Sequence, residues 1–451
     1  MNNVTKALVT VLLFFSPFLT VSCQNVQGAK PVQKVILISI DTLRPDYLGC
    51  YNGRTKTTPN IDQFAAENQL FTHAVSQAPS TAISHKSILY SLYPGVHQSS
   101  TNTVPEEKTK SPIETLQLNG FKTAAFVGGG QLSRKFGFAR GFDTFLEGGK
   151  YSSSDSRESL ETLEAGLNQW LDKNAQEKFF LFVHTYEVHC PYYPPVDYRS
   201  QAAWYRGNIN PKDACGDNYY NLRKLSSMDI QYIRDLYAGQ VQYVDDFVGR
   251  FLQGLKERGI YEETLIIFLS DHGESLGERG YIGHNLLYNV HLQIPLIMKI
   301  PGVPASRFDQ PVEGIDVMPT IYSVLNINHP YRFQGRDLVP MVNRKPLIKK
   351  SRIQMAEQSG RVRMRKGKMV AIFSPRGGQP EEVYDLEKDP AERVNLVVNQ
   401  TMFLADCKKE YATMLKSSRD LASNFVIPES GGPVLDEQTR EQLKSLGYSV
   451  R

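Results

Sequence analysis

The stretch Lys34–Thr42, KVILISIDT, decides the fold. An unbroken apolar run that stops at an aspartate is the pattern of a strand buried on both faces, delivering a polar side chain at its carboxyl end. The same event recurs in FFLFVHT (Phe179–Thr185) and in TLIIFLSDHGE (Thr264–Glu274). Between these runs lie helical patterns, NIDQFAAENQLF (Asn60–Phe71), SPIETLQLNG (Ser111–Gly120) and ESLETLEAGLNQWLDKN (Glu158–Asn174). A longer one runs near Ile230 to Leu255, where Ile230, Ile233, Tyr237, Val241, Val244, Val248 and Leu252 keep helical spacing. Strands alternating with helices predict an α/β domain on a mostly parallel sheet. Ligands of such sheets sit beyond the carboxyl ends of the strands, so Asp41, His184, Asp271 and His272 are expected to converge.

Outward from this frame, the chain of 451 residues is 41% hydrophobic, enough for one large domain and a smaller one. The division read from the sequence is an α/β domain over 31–335, a small α+β domain over 336–425 and a peripheral tail over 426–451. The net charge of +4 is spread without a basic run, so nucleic acid is not implied as a partner. At the amino end Lys6 precedes the apolar run Ala7–Val21, which Pro17 interrupts, followed by Ser22 and Cys23. This reads as an export signal over 1–23 rather than a membrane span. The TVSC ending favours a bacterial lipoprotein over plain secretion, although Thr20 stands where such boxes carry Leu. The expected location is the periplasm or cell surface, with membrane contact only through a lipid on Cys23.

Cys50, Cys190, Cys215 and Cys407 remain, in a spacing that matches no zinc pattern. A Cys190–Cys215 bridge and four reduced thiols are both open.

The chemistry gathers around SQAPSTAISHKSILYSLYPG (Ser76–Gly95). Ser80 and Thr81 precede a helical run, where hydroxyls also serve simply as caps. Asp41, Asp271 and His272 supply two carboxylates and an imidazole, a set for a divalent cation in which the imidazole favours zinc or manganese over calcium. Thr81 could add its oxygen to that set and serve as a metal-activated nucleophile. Each residue alone has a plainer reading: a strand-end Asp usually caps or pairs, and His184 alone reads as a satisfied buried imidazole. Their order along the chain is what points to a site.

VILISIDTLRPDYLGCYNGRTKTTPNIDQFAAENQLFTHAVSQAPST resembles the amino-terminal motif block of the sulfatases within the alkaline phosphatase superfamily. The likeness continues through FFLFVHTYEVHCPYYPP, the segment from Tyr243 to Gly280 and VYDLEKDPAERVNL, covering nearly everything from 34 to 400. It implies a doubly wound sheet and hydrolysis of sulfate or phosphate esters through a covalent intermediate. Asp41, Asp271 and His272 fall on metal-ligand positions and Thr81 where the nucleophile belongs, with its oxygen on the same single cation (Mn, Zn or Ca). His189 falls on a histidine that contacts the ester or leaving group, and His284 where many members carry a substrate-binding Lys. Both are candidate catalytic residues, while His85, His184 and Arg44 are candidates for binding substrate.

The departures are as informative. Sulfatases carry C-x-P-x-R or S-x-P-x-R, whose first residue becomes formylglycine; here the five positions are Thr81, Ala82, Ile83, Ser84 and His85, so no formylglycine is expected. The Lys-x-His pair that usually follows the TAAFVG strand is replaced by Gly128, Gly129, Gly130 and Gln131. Thr42 replaces a second metal carboxylate, and His272 an Asn of the calcium sulfatases. These changes resemble the branch that uses a plain Thr against phosphorus: a threonine sulfate lacks the second hydroxyl that expels sulfate, whereas water or an alcohol can cleave a phosphothreonine. The expected function is an exported, metal-dependent hydrolase of phosphate or sulfate esters on a small molecule or glycan. The alternatives are a sulfatase or phosphoryl-group transferase acting on glycans or lipids, and an inactive lipoprotein that grips an anion or glycan.

Overall fold

The computed structural model describes residues 31–53, 56–99, 106–108, 110–148, 160–210, 225–329, 332–343, 352–426, 433–446 and 448. The expected export signal, Cys23 and Cys215 all lie outside the described residues. No described helix is long and apolar enough to cross a membrane.

Among the described residues, nine strands form the main sheet: β1 (Lys34–Ile40), β2 (Gln69–Val75), β3 (Lys122–Val127), β4 (Thr144–Glu147), β5 (Phe179–Thr185), β6 (Thr264–Leu269), β7 (Gln293–Lys299), β8 (Ser306–Phe308) and β9 (Val312–Glu313). Their order is β8-β2-β7-β6-β1-β5-β3-β4, with β9 also on β2. All pairings are parallel except those of β7, which runs against β2 and β6. Every residue of β1 is buried, and its side chains alternate between two cores. Ile36, Ile38 and Ile40 meet α1 (Pro59–Ala66), α4 (Leu160–Asn174) and α5 (Ser227–Glu257). Val35 and Leu37 meet α2 (Thr81–Tyr90), α3 (Pro112–Leu118) and α6 (Val317–Leu325) on the opposite face. Each of these aliphatic side chains contributes about 1.5–3 kcal/mol by leaving water. The arrangement is the expected doubly wound α/β sheet.

One helical expectation is corrected. The Asn60–Phe71 pattern is not one helix: α1 ends at Ala66 and the chain enters β2 at Gln69. Asn68 donates from Nδ2 to Phe64 O at 2.7 Å, satisfying an end carbonyl of α1. Leu70 and Phe71 thus belong to the sheet, not to the helix face.

A second, antiparallel sheet comprises β10 (Ile353–Gln358), β11 (Arg361–Lys366), β12 (Met369–Phe373) and β13 (Glu382–Asp385) in sequential order. One face packs on α7 (Thr401–Ser417) through Met355, Met364, Phe373, Leu404 and Tyr411; the other meets Val75, Leu287 and Leu292. Arg352, just before β10, anchors this sheet to the edge of the main one. Its Nε donates to Glu313 Oε2 at 2.8 Å and its NH2 to Asp316 Oδ1 at 2.6 Å, all three groups being buried. Glu313 Oε1 also accepts from Met355 N at 2.9 Å, so the ion pair and the backbone share one carboxylate.

Candidate active site

β1 and β6 lie side by side, so the residues that follow them meet. Thr42 has φ +55°, a left-handed conformation that a β-branched residue resists, and this sharp turn follows Asp41 at the end of β1. Its backbone N–H donates to Asp271 Oδ1 at 3.3 Å, joining the two strand ends. Thr81 opens α2, in which every residue is buried. Neither Ser80 nor Thr81 caps the helix: the N-cap residue Ser80 makes no side-chain cap bond, and Thr81 Oγ1 lies 3.4 Å from His272 Nε2 and 3.3 Å from the hydroxyl of Tyr448. The Ala82 N–H, a free donor in a simple helix start, is taken by Gln131 Oε1 at 3.1 Å.

Asp41, Asp271 and His272 bring their ligand atoms within 4.8 Å of one another, and all three are fully buried. His272 donates from Nδ1 to Gly273 O at 3.0 Å, which leaves the Nε2 lone pair facing Thr81 Oγ1 and, at 3.4 Å, Asp271 Oδ2. A lone pair aimed at oxygen is repulsive unless a proton or cation lies between them. Asp41 Oδ1 has no hydrogen-bond donor among the described residues. Burial, then the charge of Asp271, raises the Asp41 pKa; for His272, Asp271 and Asp41 outweigh burial and raise it too. Two buried carboxylates, a bare imidazole nitrogen and a hydroxyl fit a divalent cation of the zinc or manganese type.

The other predicted residues divide by position. Ser84 donates to Asp271 Oδ2 at 3.0 Å, and His184 donates from Nε2 to Asp41 Oδ2 at 3.3 Å while accepting from Gly128 N at Nδ1 (3.4 Å). His184 thus orients a carboxylate rather than facing open space. His85 lies behind Thr81, donating from Nδ1 to Thr81 O at 2.8 Å and accepting from Ser39 Oγ at 2.9 Å. The Arg44 guanidinium is occupied by Asp46, Glu278 and the carbonyl of Glu274.

The rings of His189 and His284 have centroids 5.1 Å apart, and that of His284 is 4.7 Å from the ring of His272. His189 donates from Nδ1 to Cys190 O at 2.7 Å, and His284 from Nδ1 to Glu274 Oε1 at 3.3 Å. Both Nε2 atoms are therefore acceptors, and that of His284 has no hydrogen-bond partner among the described residues. Burial holds these imidazoles down, His189 at about 4 and His284 at about 3, so both are neutral at pH 7. Cys190, next to His189, is disulfide-bonded, whereas Cys50 and Cys407 are free.

Sequence reasoning gave no role to Tyr448, Gln131 or Ser39. Gln131 ends the glycine run that departs from the family pattern, which was its signal; Tyr448 has none beyond being aromatic. The tail, expected to be peripheral, buries Leu443 and Leu446 and carries Tyr448 to Thr81.

The sulfatase family profile matches residues 33–327, and that of the N-sulphoglucosamine sulphohydrolase C-terminal region matches 277–419. An arylsulfatase of Clostridium perfringens is 24% identical over 439 residues, covering 80% of this chain and 90% of that protein. The phosphonate monoester hydrolase of Agrobacterium radiobacter shares the fold with a TM-score of 0.72 at 19% identity, over 90% of this chain and all of that one (100%). A structure solved in complex with D-glucosamine-2-N,6-O-disulfate matches with a TM-score of 0.67 at 17% identity, over 88% of this chain and 99% of the other. With its fold, its clustered strand-end ligands and a family match over most of its length, the chain belongs to the sulfatase family of the alkaline phosphatase superfamily and is a hydrolase of sulfate or phosphate esters.

Proposed function

We propose that the protein is an exported, metal-dependent hydrolase of phosphoric esters in which Thr81 is the nucleophile. One observation carries the reading: Thr81 Oγ1 caps nothing and instead faces His272 Nε2 at 3.4 Å, beside Asp41 and Asp271. Those three residues and Thr81 Oγ1 would hold the cation (Mn, Zn or Ca), whose positive charge favours the threonine alkoxide and offsets the charge of the ester oxygens. Oγ1 gives up its proton as it attacks phosphorus, the bond to the ester oxygen breaks, and the departing alcohol carries that proton away. Water then attacks the phosphothreonine, and His189 or His284 takes its proton at the unprotonated Nε2. His184, Ser84 and Thr42 N–H hold the two aspartates in place.

Phosphorus is preferred over sulfur because the residue is Thr, which cannot become formylglycine and would be trapped as its sulfate. An alcohol replacing water in the second step would make the same site a phosphoryl transferase on a glycan or lipid. Export rests on the Lys6–Cys23 sequence, with Cys23 as the lipid attachment point.

The test is turnover of aryl phosphate mono- and diesters and of aryl sulfate by protein loaded with manganese or zinc. Phosphoester turnover is expected, falling at least ~1,000-fold in Thr81→Ala. Sulfate release that survives Thr81→Ala would show that another group attacks. Absence of turnover together with tight retention of a sulfated glycan would identify a binding protein.

A further inference from the structure

The carboxyl-terminal segment carries a helix, α8 (Glu437–Ser445), started by Asp436, whose side chain accepts from Thr439 N at 2.9 Å. The helix is keyed to the glycine run after β3. Gln442 Oε1 accepts from Gly130 N at 3.2 Å, and Gln442 Nε2 donates to Gly148 O at 3.4 Å. Gly129 and Gly130 have φ of +71° and +56°, and a Cβ on either would come within 2.8 Å of Gln442 Oε1 or Leu446 Cδ1. These glycines therefore provide both the backbone shape and the space that the tail occupies. Leu443 joins the core shared with α2 and α6. Beyond the helix, Tyr448 N donates to Leu443 O at 2.9 Å, folding the chain back toward the site.

The result is that the Tyr448 hydroxyl stands 3.3 Å from Thr81 Oγ1 and 3.4 Å from His189 Nε2, with its ring 5.8 Å from that of His189 and 6.2 Å from that of His284. The groups around Thr81 described above are mostly acceptors: the carboxylates of Asp41, Asp271 and Glu274 and the Nε2 atoms of His189, His272 and His284. A transferred phosphoryl group brings oxygens of its own, which need donors. A phenol is neutral at physiological pH, its ordinary pKa being about 10, and carries one O–H to give.

We propose that Tyr448 is a catalytic residue supplied by the carboxyl-terminal tail, donating a hydrogen bond to the group being transferred to Thr81. The proposal rests on the reading of Thr81 as nucleophile. The phenol holds the space that the phosphoryl group must enter, so it shifts outward on binding and remains at hydrogen-bonding distance, about 2.7 Å, from one of the outer oxygens. The tail thereby forms one wall of the substrate pocket, and its docking on Gly129 and Gly130 fixes where that wall stands.

The experiment compares wild type, Tyr448→Phe, a chain lacking residues 434–451, and Thr81→Ala, all metal-loaded. It measures turnover of an aryl phosphate and the affinity for orthovanadate by calorimetry. Tyr448→Phe should lower kcat/KM about 100-fold and weaken orthovanadate about tenfold, with an unchanged thermal midpoint, and the shortened chain should be no more active than Tyr448→Phe. Two results overturn the proposal: Tyr448→Phe within twofold of wild type in both measurements, or a shortened chain more active than wild type, which would make the tail a plug. Turnover that persists in Thr81→Ala sinks the nucleophile instead, and the vanadate affinity of Tyr448→Phe still decides whether the phenol contacts the bound anion.

Discussion

His85 is one helical turn beyond Thr81, so its ring falls back on the Thr81 carbonyl rather than forward onto a substrate. Its two nitrogens are used, one on that carbonyl and one on Ser39 Oγ, and burial holds its pKa down at about 4, so it is neutral at pH 7. Replacing it with Leu removes both bonds and leaves the Ser39 hydroxyl without its partner in a dry site. His85→Leu is expected to lose about 1–3 kcal/mol of stability by urea denaturation, and His85→Gln, which keeps polar atoms near both partners, to lose less. At this scale the sequence disclosed identities better than directions. Asp41, Asp271, His272 and Thr81 could be picked out because strand ends and a helix start constrain where they point. Arg44 follows the same strand, yet its long side chain turns away to Asp46 and Glu278, and nothing in the local pattern signals that choice.

Among the elements, α5 was the most legible, since its apolar face repeats at helical spacing and Ile233, Tyr237, Val241, Val244 and Val248 are all buried. Its register also depends on a residue that periodicity ignores. Gly239 faces the turn at Val196–Tyr198, and a Cβ there would lie 2.2 Å from Tyr198 O. Helix propensity alone favours Ala by about 1 kcal/mol, but the clash is with backbone and cannot be relieved by a rotamer change. Gly239→Ala is therefore expected to destabilise the protein, by about 1–3 kcal/mol, and a gain in the urea midpoint would contradict the packing argument. The stretch after α1 shows the opposite case: Leu70 and Phe71 continue the helical pattern of Asn60–Phe71 closely enough that only the tertiary pairing of β2 with β7 assigns them to the sheet.

For the whole molecule, acid should be a distinctive stress. His97 is buried, donates to Ser87 Oγ at 2.9 Å and has its pKa held at about 3 by burial and by nearby Lys86. An unfolded histidine titrates near 6.5, so as the pH falls below that value the unfolded chain gains a proton that the folded one refuses. Stability contributed by this site is complete above pH 6.5 and declines toward pH 3 by about 1.4 kcal/mol per unit. Urea midpoints measured from pH 7 to 4 should fall, and His97→Gln should flatten the slope by one histidine's share; an unchanged slope would mean that His97 is not buried neutral. The doubly wound plan was legible at this scale because alternation of strands and helices is local, whereas the strand order joins segments far apart in the chain. β1 is paired on one side with β5 and on the other with β6, which ends at Leu269. On a ribosome the earliest strand to emerge therefore waits for some of the later ones. At ~5–20 residues per second that delay is on the order of ten to fifty seconds, during which an apolar ribbon with two open edges is exposed to any chaperone, or any other nascent chain, that meets it.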